Sequence, residues 1–281
     1  MLEPTSESLP FPARELALRL VSAVVLAGVT LAMTWSGALP FAVLVGAVAL
    51  ILLWEWDRLT GGTGAGRAIA IGGAGIIAGL GLVVYGRTSL GIAMLAAGAA
   101  GAAMTAERRG FAATPAGVLY AGLPALALVW FRSDAELGFA SIILLLLIVW
   151  ATDTGAFVVG RLVGGPRLCA PVSPNKTWSG LLGGVAAAAA VAGGYASWIG
   201  SIAPVRVIVV GLGLALVSQL GDLFESAMKR SHGVKDTSGL IPGHGGFMDR
   251  VDGLVFAAVA AAGYAVLADA ASPCRVLLGL Q

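Results

Sequence analysis

This 281-residue sequence predicts an all-α, polytopic integral membrane protein of about nine transmembrane helices, with its N-terminus in the cytoplasm. Three observations carry that prediction. Hydrophobic residues make up 58% of the chain and charged residues only 11%, whereas soluble domains carry about 25% charged residues. Mean hydropathy is +0.92. The apolar residues also fall in runs of about 20, the length that crosses a bilayer as a helix. The same figures exclude other classes. Disorder requires low hydrophobicity. Nucleic-acid binding requires a basic field that a net charge of +2 does not supply. The 41 glycines have no three-residue period, so the chain is not collagen-like. Glycine and alanine at this density suit transmembrane helices, where small residues let backbones approach closely.

Nine runs qualify as spans: 16–35, 40–56, 68–86, 89–106, 116–131, 137–160, 178–200, 203–224 and 252–271. The fourth and fifth carry the weakest signal, being short and rich in glycine and alanine. The stretch before Arg14 is polar and acidic. It lacks the basic start and short apolar core of a secretory signal and reads as a tail leading into a retained first helix. Thirteen of the 17 basic residues then fall on the side of the N-terminus, and four (Arg87, Arg132, Arg206 and Arg275) on the other. The positive-inside rule makes the first side cytoplasmic. Cys169 and Cys274 fall on opposite sides, so no disulfide is expected between them. Residues 1–135 form an N-terminal group of membrane helices. Residues 136–281 form a second group with two long cytoplasmic loops, 161–177 and 225–251.

Chemistry concentrates in those loops. All three lysines (Lys176, Lys229 and Lys235) and both histidines (His232 and His244) lie there, while every other basic residue is arginine. If the eighth helix continues past 224, Asp222, Ser226 and Lys229 share one face at i, i+4, i+7 spacing, with Glu225 at its edge. The bland reading of this segment is a helix end with i, i+4 pairing of Glu225 and Lys229. The stretch Pro242–Gly246 is too rich in glycine for an ordinary helix and suits an anion-binding turn. Asp249 and Asp252 follow at the start of the ninth span, where the helix dipole alone would favour an acid. Together with Asp222 they form three carboxylates at two span ends, the oxygen donors that Mg²⁺ with a polyphosphate takes. Two histidines twelve residues apart are poor material for Zn²⁺. Asp153 lies inside the apolar sixth span. It requires a polar cavity or a partner, an arginine being the simplest. Ser173-Pro174 with Lys176-Thr177 reads as a turn feeding the seventh span, with a phosphate-binding lysine.

The second loop resembles the signature of the phosphatidate cytidylyltransferase (CDP-diacylglycerol synthase) family of integral membrane enzymes. The pattern runs unbroken from Ser226-Ala-Met-Lys229-Arg230, through Lys235-Asp236-Thr-Ser238, to Ile241-Pro242-Gly-His244-Gly245-Gly246-Phe247-Met-Asp249-Arg250-Val251-Asp252. Gly221-Asp222, Asp153, Ser173-Pro174 and Lys176-Thr177 also look like the family, so the likeness covers about 150–255. The chain departs from the pattern in having Ser179 where an acid is common, Phe157 for tyrosine, and Arg161 near a usual lysine.

The resemblance implies an enzyme that converts CTP and phosphatidate of the inner leaflet to CDP-diacylglycerol and pyrophosphate. It implies Mg²⁺, and allows a second cation, with Asp222 and Asp249 as ligands and Asp252 as a further ligand or a supporting residue. Lys229, Arg230, Lys235 and Arg250 would bind phosphates, Ser226 and His244 would donate hydrogen bonds, and Asp236 would orient a basic residue. Asp153, Ser173, Lys176 and Thr177 would contribute to substrate binding. The alternatives are a related CTP-dependent lipid kinase, which would release CDP, and a membrane transporter, which should show repeat symmetry that is absent here. The Asp-Gly-x-x-Ala-Arg core of CDP-alcohol phosphotransferases is missing, since Asp252-Gly253 leads into Leu-Val-Phe. Gly180, Gly183 and Gly184 suit helix packing within one chain or across a homodimer.

Overall fold

A backbone in hydrocarbon must satisfy its own N–H and C=O groups, so apolar runs of this length become helices. The computed structural model describes residues 13–106, 113–241 and 245–281, with side chains from Val21 onward. Helices α1 (Ala13–Trp35), α2 (Ala38–Leu59), α3 (Arg67–Val84), α4 (Thr88–Thr105), α5 (Ala113–Arg132), α6 (Gly138–Val163), α7 (Trp178–Trp198), α8 (Pro204–Ser231) and α9 (Met248–Asp269) match the nine expected spans in order. Among the described residues, α2 to α9 are each long and apolar enough to cross a membrane, and the described apolar part of α1 is Val21–Trp35. The chain is a multi-pass membrane protein.

The two expected loops contain more structure than the sequence suggested. Residues 167–177 form a small antiparallel hairpin, β1 (Arg167–Cys169) with β2 (Ser173–Thr177), pairing Arg167 with Thr177 and Cys169 with Ser173. Helix α8 continues to Ser231, so the segment from Glu225 to Ser231 is helical. Its last turns are held from inside the protein. Lys229 Nζ meets Glu225 Oε1 at 2.9 Å and Asp249 Oδ1 at 2.5 Å. The bland i, i+4 pairing of Glu225 and Lys229 is therefore present, with a third partner added.

Between transmembrane helices there is no hydrophobic gain, so association rests on close packing. Two pairs achieve it through glycine. On the α3–α4 pair, a Cβ added to Gly75 would come within 2.6 Å of Gly98 Cα. On the α6–α7 pair, a Cβ on Gly180 would come 2.8 Å from Ala156 O, and one on Gly184 would come 2.6 Å from Thr152 O. Gly183 faces the Val159 side chain just as closely. Gly180, Gly183 and Gly184 are thus used within the chain, against α6.

Helix α5 is buried along most of its length and packs between the two halves, against α2 on one side and α9 on the other. At the end of the bundle away from the motif loops, Arg132 Nε donates to Thr34 O at 2.6 Å. The chain there finishes in α10 (Pro273–Leu278), whose Leu277 and Leu278 are buried. Cys274 is enclosed there too, its thiol donating to Phe131 O at 3.3 Å. Cys169 lies at the other end of the bundle, on β1. Both cysteines are free thiols.

Candidate active site

Three spans and the hairpin converge on one polar cavity. Asp153 comes from the middle of α6, and Gln219 and Asp222 from the last turns of α8. Lys176 and Thr177 enter from β2, and Asp249, Arg250 and Asp252 from the first turns of α9. All of them line a cavity of about 720 Å³. The geometry of the hairpin explains why Lys176 arrives there. Thr177 ends β2 and caps α7, its Oγ1 accepting from Gly180 N–H at 3.1 Å. The strand therefore stops against the helix start, and Lys176 projects from that corner. Its Nζ pairs with Asp222 Oδ2 at 2.6 Å and donates to Gln219 Oε1 at 3.4 Å. Gln219 Nε2 donates in turn to Asp153 Oδ1 at 3.3 Å. Asp153 thus has its cavity and its partner, and the partner is a glutamine. Among the described residues no arginine pairs with it.

Asp249 sits differently. Its Oδ1 takes Lys229, and its Oδ2 accepts from Thr237 N at 3.0 Å, Thr237 Oγ1 at 2.9 Å and Gly246 N at 2.9 Å. Lys229 was expected to share one helix face with Asp222 and Ser226. Its amine is held between Glu225 and Asp249, while Asp222 takes Lys176. Ser226 Oγ makes a long contact to Asp222 Oδ1 at 3.4 Å. Asp252 Oδ1 accepts from Gly253 N at 2.7 Å and otherwise faces the cavity.

Other expected site residues lie apart from this cavity. Ser173 is in the hairpin but not in the cavity wall. Arg230 is exposed and donates to Val234 O at 3.2 Å. Lys235 and Asp236 are exposed on the loop, and among the described residues Asp236 pairs with no basic side chain. His244 lies outside the described residues. Of the three departures from the family pattern, Ser179 bonds Thr177 and Gly164 O, and the Arg161 guanidinium lies 6.0 Å from the centre of the Phe157 ring.

Sequence reasoning passed over Gln219, Thr237 and Glu55. Glu55, on α2, is fully buried and accepts hydrogen bonds from Ser238 Oγ, from Phe247 N at 3.0 Å and from Met248 N at 2.6 Å. An acid inside an apolar run was the available signal.

The donor chemistry suits a hard cation. Asp153, Asp222 and Asp252 bring only oxygen to one cavity. Among the described residues, however, no group of three or more Asp, Glu, His or Cys side chains is arranged to hold an ion alone. Mg²⁺ does not require such a group, since it binds through one or two carboxylates and completes its shell with water and substrate phosphates. A second cavity, of about 480 Å³, lies among α1, α2, α5, α6 and α9 and is lined almost wholly by apolar side chains. Asp153 and Arg250 belong to the walls of both cavities.

Residues 17–268 match the cytidylyltransferase family. The phosphatidate cytidylyltransferase of Brucella suis is 43% identical over 246 residues, covering 86% of this chain and 90% of that protein. Enzymes of the same name from Staphylococcus saprophyticus and Haemophilus influenzae are 39% identical over 140 residues and 38% over 142, about half of each chain.

Proposed function

The chain belongs to the cytidylyltransferase family, and from that premise we propose that it joins CTP to phosphatidate, forming CDP-diacylglycerol and pyrophosphate. A phosphate oxygen of the lipid attacks the α-phosphorus of CTP in line. The bond from that phosphorus to the β-phosphate bridging oxygen breaks, and pyrophosphate leaves. The lipid is the nucleophile, so the protein has only to position and neutralise.

The observation that carries this reading is the shared wall of the two cavities. A carboxylate-and-lysine cavity suits a nucleoside triphosphate with its cation, and an apolar cavity suits acyl chains. Their junction, at Asp153 and Arg250, is where an amphiphile's phosphate would stand. Bound Mg²⁺ would offset the charge that builds on the triphosphate. Asp222 and Asp252 are the residues we assign to hold it, with Asp153 nearby. Asp249 would have to release a protein donor to join them, so we assign it first to Lys229 and the loop. Lys176 neutralises Asp222 until substrate arrives and then turns to a phosphate. Arg250 meets the lipid phosphate. Lys229, held between Glu225 and Asp249, and the exposed Arg230 and Lys235 add positive charge on the same side of the membrane without lining the cavity. The excess of basic residues on this side supports a cytoplasmic active site, which CTP reaches from the cytoplasm and phosphatidate from the inner leaflet.

The test is turnover by purified protein of CTP labelled at the α-phosphorus, with phosphatidate and Mg²⁺. Label should enter the lipid, with one pyrophosphate released per turnover. Release of labelled CDP with a newly phosphorylated lipid would make it a kinase instead.

A further inference from the structure

We propose that Glu55, in the N-terminal half of the chain, is a positioning residue for the reaction: it anchors the motif loop and the first turn of α9, and so sets where Arg250 and Asp252 stand. The proposal rests on the function proposed above.

A buried carboxylate is costly unless it is paired or hydrogen-bonded. Glu55 is 0% exposed, and among the described residues it forms no ion pair. Among the described residues its hydrogen bonds come from one segment far away in sequence. Its Oε1 accepts from Ser238 Oγ and Phe247 N, and its Oε2 from Met248 N. The N–H groups of Phe247 and Met248 open α9, where the first turn has no partners within the helix. Phe247 stands at the N-cap position and offers no side-chain cap. Glu55 satisfies these donors from another helix, and its negative charge suits the positive end of the α9 dipole. The fit is close, because a Cβ on Gly246 would come within 2.5 Å of Glu55 Oε1. Asp249, Arg250 and Asp252 all follow within five residues of Phe247. The rotation and height of that turn therefore depend on Glu55.

The same helix supplies a comparison. Asp57 is also buried, at 7% exposure, but it faces elsewhere. It accepts from Gly64 N at 2.9 Å and Thr114 Oγ1 at 3.4 Å, tying α2 to its own following turn and to α5. Among the described residues it forms no hydrogen bond or ion pair with the motif loop. If any buried acid on α2 merely held the bundle together, the two would behave alike.

The experiment compares Glu55→Gln, Asp57→Asn and Ser238→Ala with the unaltered full-length protein. Turnover per folded molecule and KM for CTP are measured alongside amide hydrogen exchange of the segment 245–250. Glutamine at 55 sets an N–H donor against one of the three donors it must accept. Glu55→Gln should lower kcat on the order of 10²-fold, the scale of a misplacement of about 1 Å, with KM for CTP moving far less. The amides of Phe247 and Met248 should lose protection. Ser238→Ala, which removes one of the three bonds, should shift both readouts the same way by less. Asp57→Asn should lower thermal stability and leave kcat of the folded fraction and protection of 245–250 unchanged. Unchanged protection and kcat in Glu55→Gln would overturn the proposal, as would an equal loss of kcat in Asp57→Asn. If the unaltered protein does not turn over CTP and phosphatidate, the proposed function fails, and the exchange comparison still decides the anchoring.

Discussion

Asp222 and Asp249 flank the same motif, one at the end of α8 and one at the start of α9, yet they occupy opposite chemical situations. The Asp249 side chain is 5% exposed and both of its oxygens are taken by protein donors, four in all. The Asp222 side chain is 31% exposed, with one lysine and one long contact from Ser226. A saturated carboxylate organises the chain around it. An open one is available to a ligand. The same division separates Glu55, closed by three donors, from Asp153 and Asp252, which face the cavity. It sorts a set of acids that look equivalent in sequence into those closed by protein donors and those open to a ligand.

The sharpest test of that division is Asp222→Asn. It should lower turnover about 10²–10³-fold or more, on the scale of losing one preorganised electrostatic group, while leaving thermal unfolding almost unchanged. Near-normal turnover at millimolar Mg²⁺ would remove Asp222 from the working set. Asp249→Asn should act the other way round. Lys229 keeps Glu225 as its partner, but an asparagine cannot accept from all four donors, so a buried loop donor goes unsatisfied and the loss of stability should be about 1–3 kcal/mol, read from thermal or denaturant unfolding in detergent. If Asp249→Asn unfolds at the temperature of the unaltered protein, saturation by protein donors does not mark a structural acid here and the comparison breaks. The smallest effect concerns the thiols, which show the same contrast of open and enclosed groups. Burial pushes the Cys274 thiol up to about 12, so it stays protonated and unreactive across the neutral range. Cys169, half-buried on β1, should take a thiol reagent in the folded protein, and Cys274 only after unfolding. Labelling of Cys274 in the native state, read by mass spectrometry, would show that α10 is not docked as described.

Much of the fold could be read from the sequence, because lipid imposes a single requirement on every span. About 20 apolar residues must close their own backbone hydrogen bonds, and each of the nine runs did so. The ends were harder. The residues after Phe224 look like a loop because they are charged, but Lys229 pairs with both Glu225 and Asp249, and α8 continues. The hairpin at 167–177 was missed because strands of three and five residues carrying Arg, Asn and Lys show no apolar alternation. In the site, periodicity put Asp222, Ser226 and Lys229 on one face of α8. It could not say that Lys176, 46 positions upstream, would reach Asp222 first. Glu55 was overlooked because it sits close to the charged helix end at Asp57 and Arg58. Its role depends on a segment about 190 residues away, and no local pattern reports that.

The glycine seam between α6 and α7 acts on the site as a lever with a fixed pivot. The hairpin that carries Lys176 has one arm rooted in each of these helices. At their shared foot a Cβ on Gly180 would come 3.4 Å from Gly160 Cα and 3.1 Å from Thr177 Oγ1, the hydroxyl that caps α7. Prying the two helices apart there, by even one methyl group, would widen the base on which the hairpin stands and swing its tip. Displacement at the foot of the seam would thus be read out at Lys176, whose amine pairs with Asp222 on α8. A bulky residue at position 180 would act as a wedge, mistuning a charge it never touches.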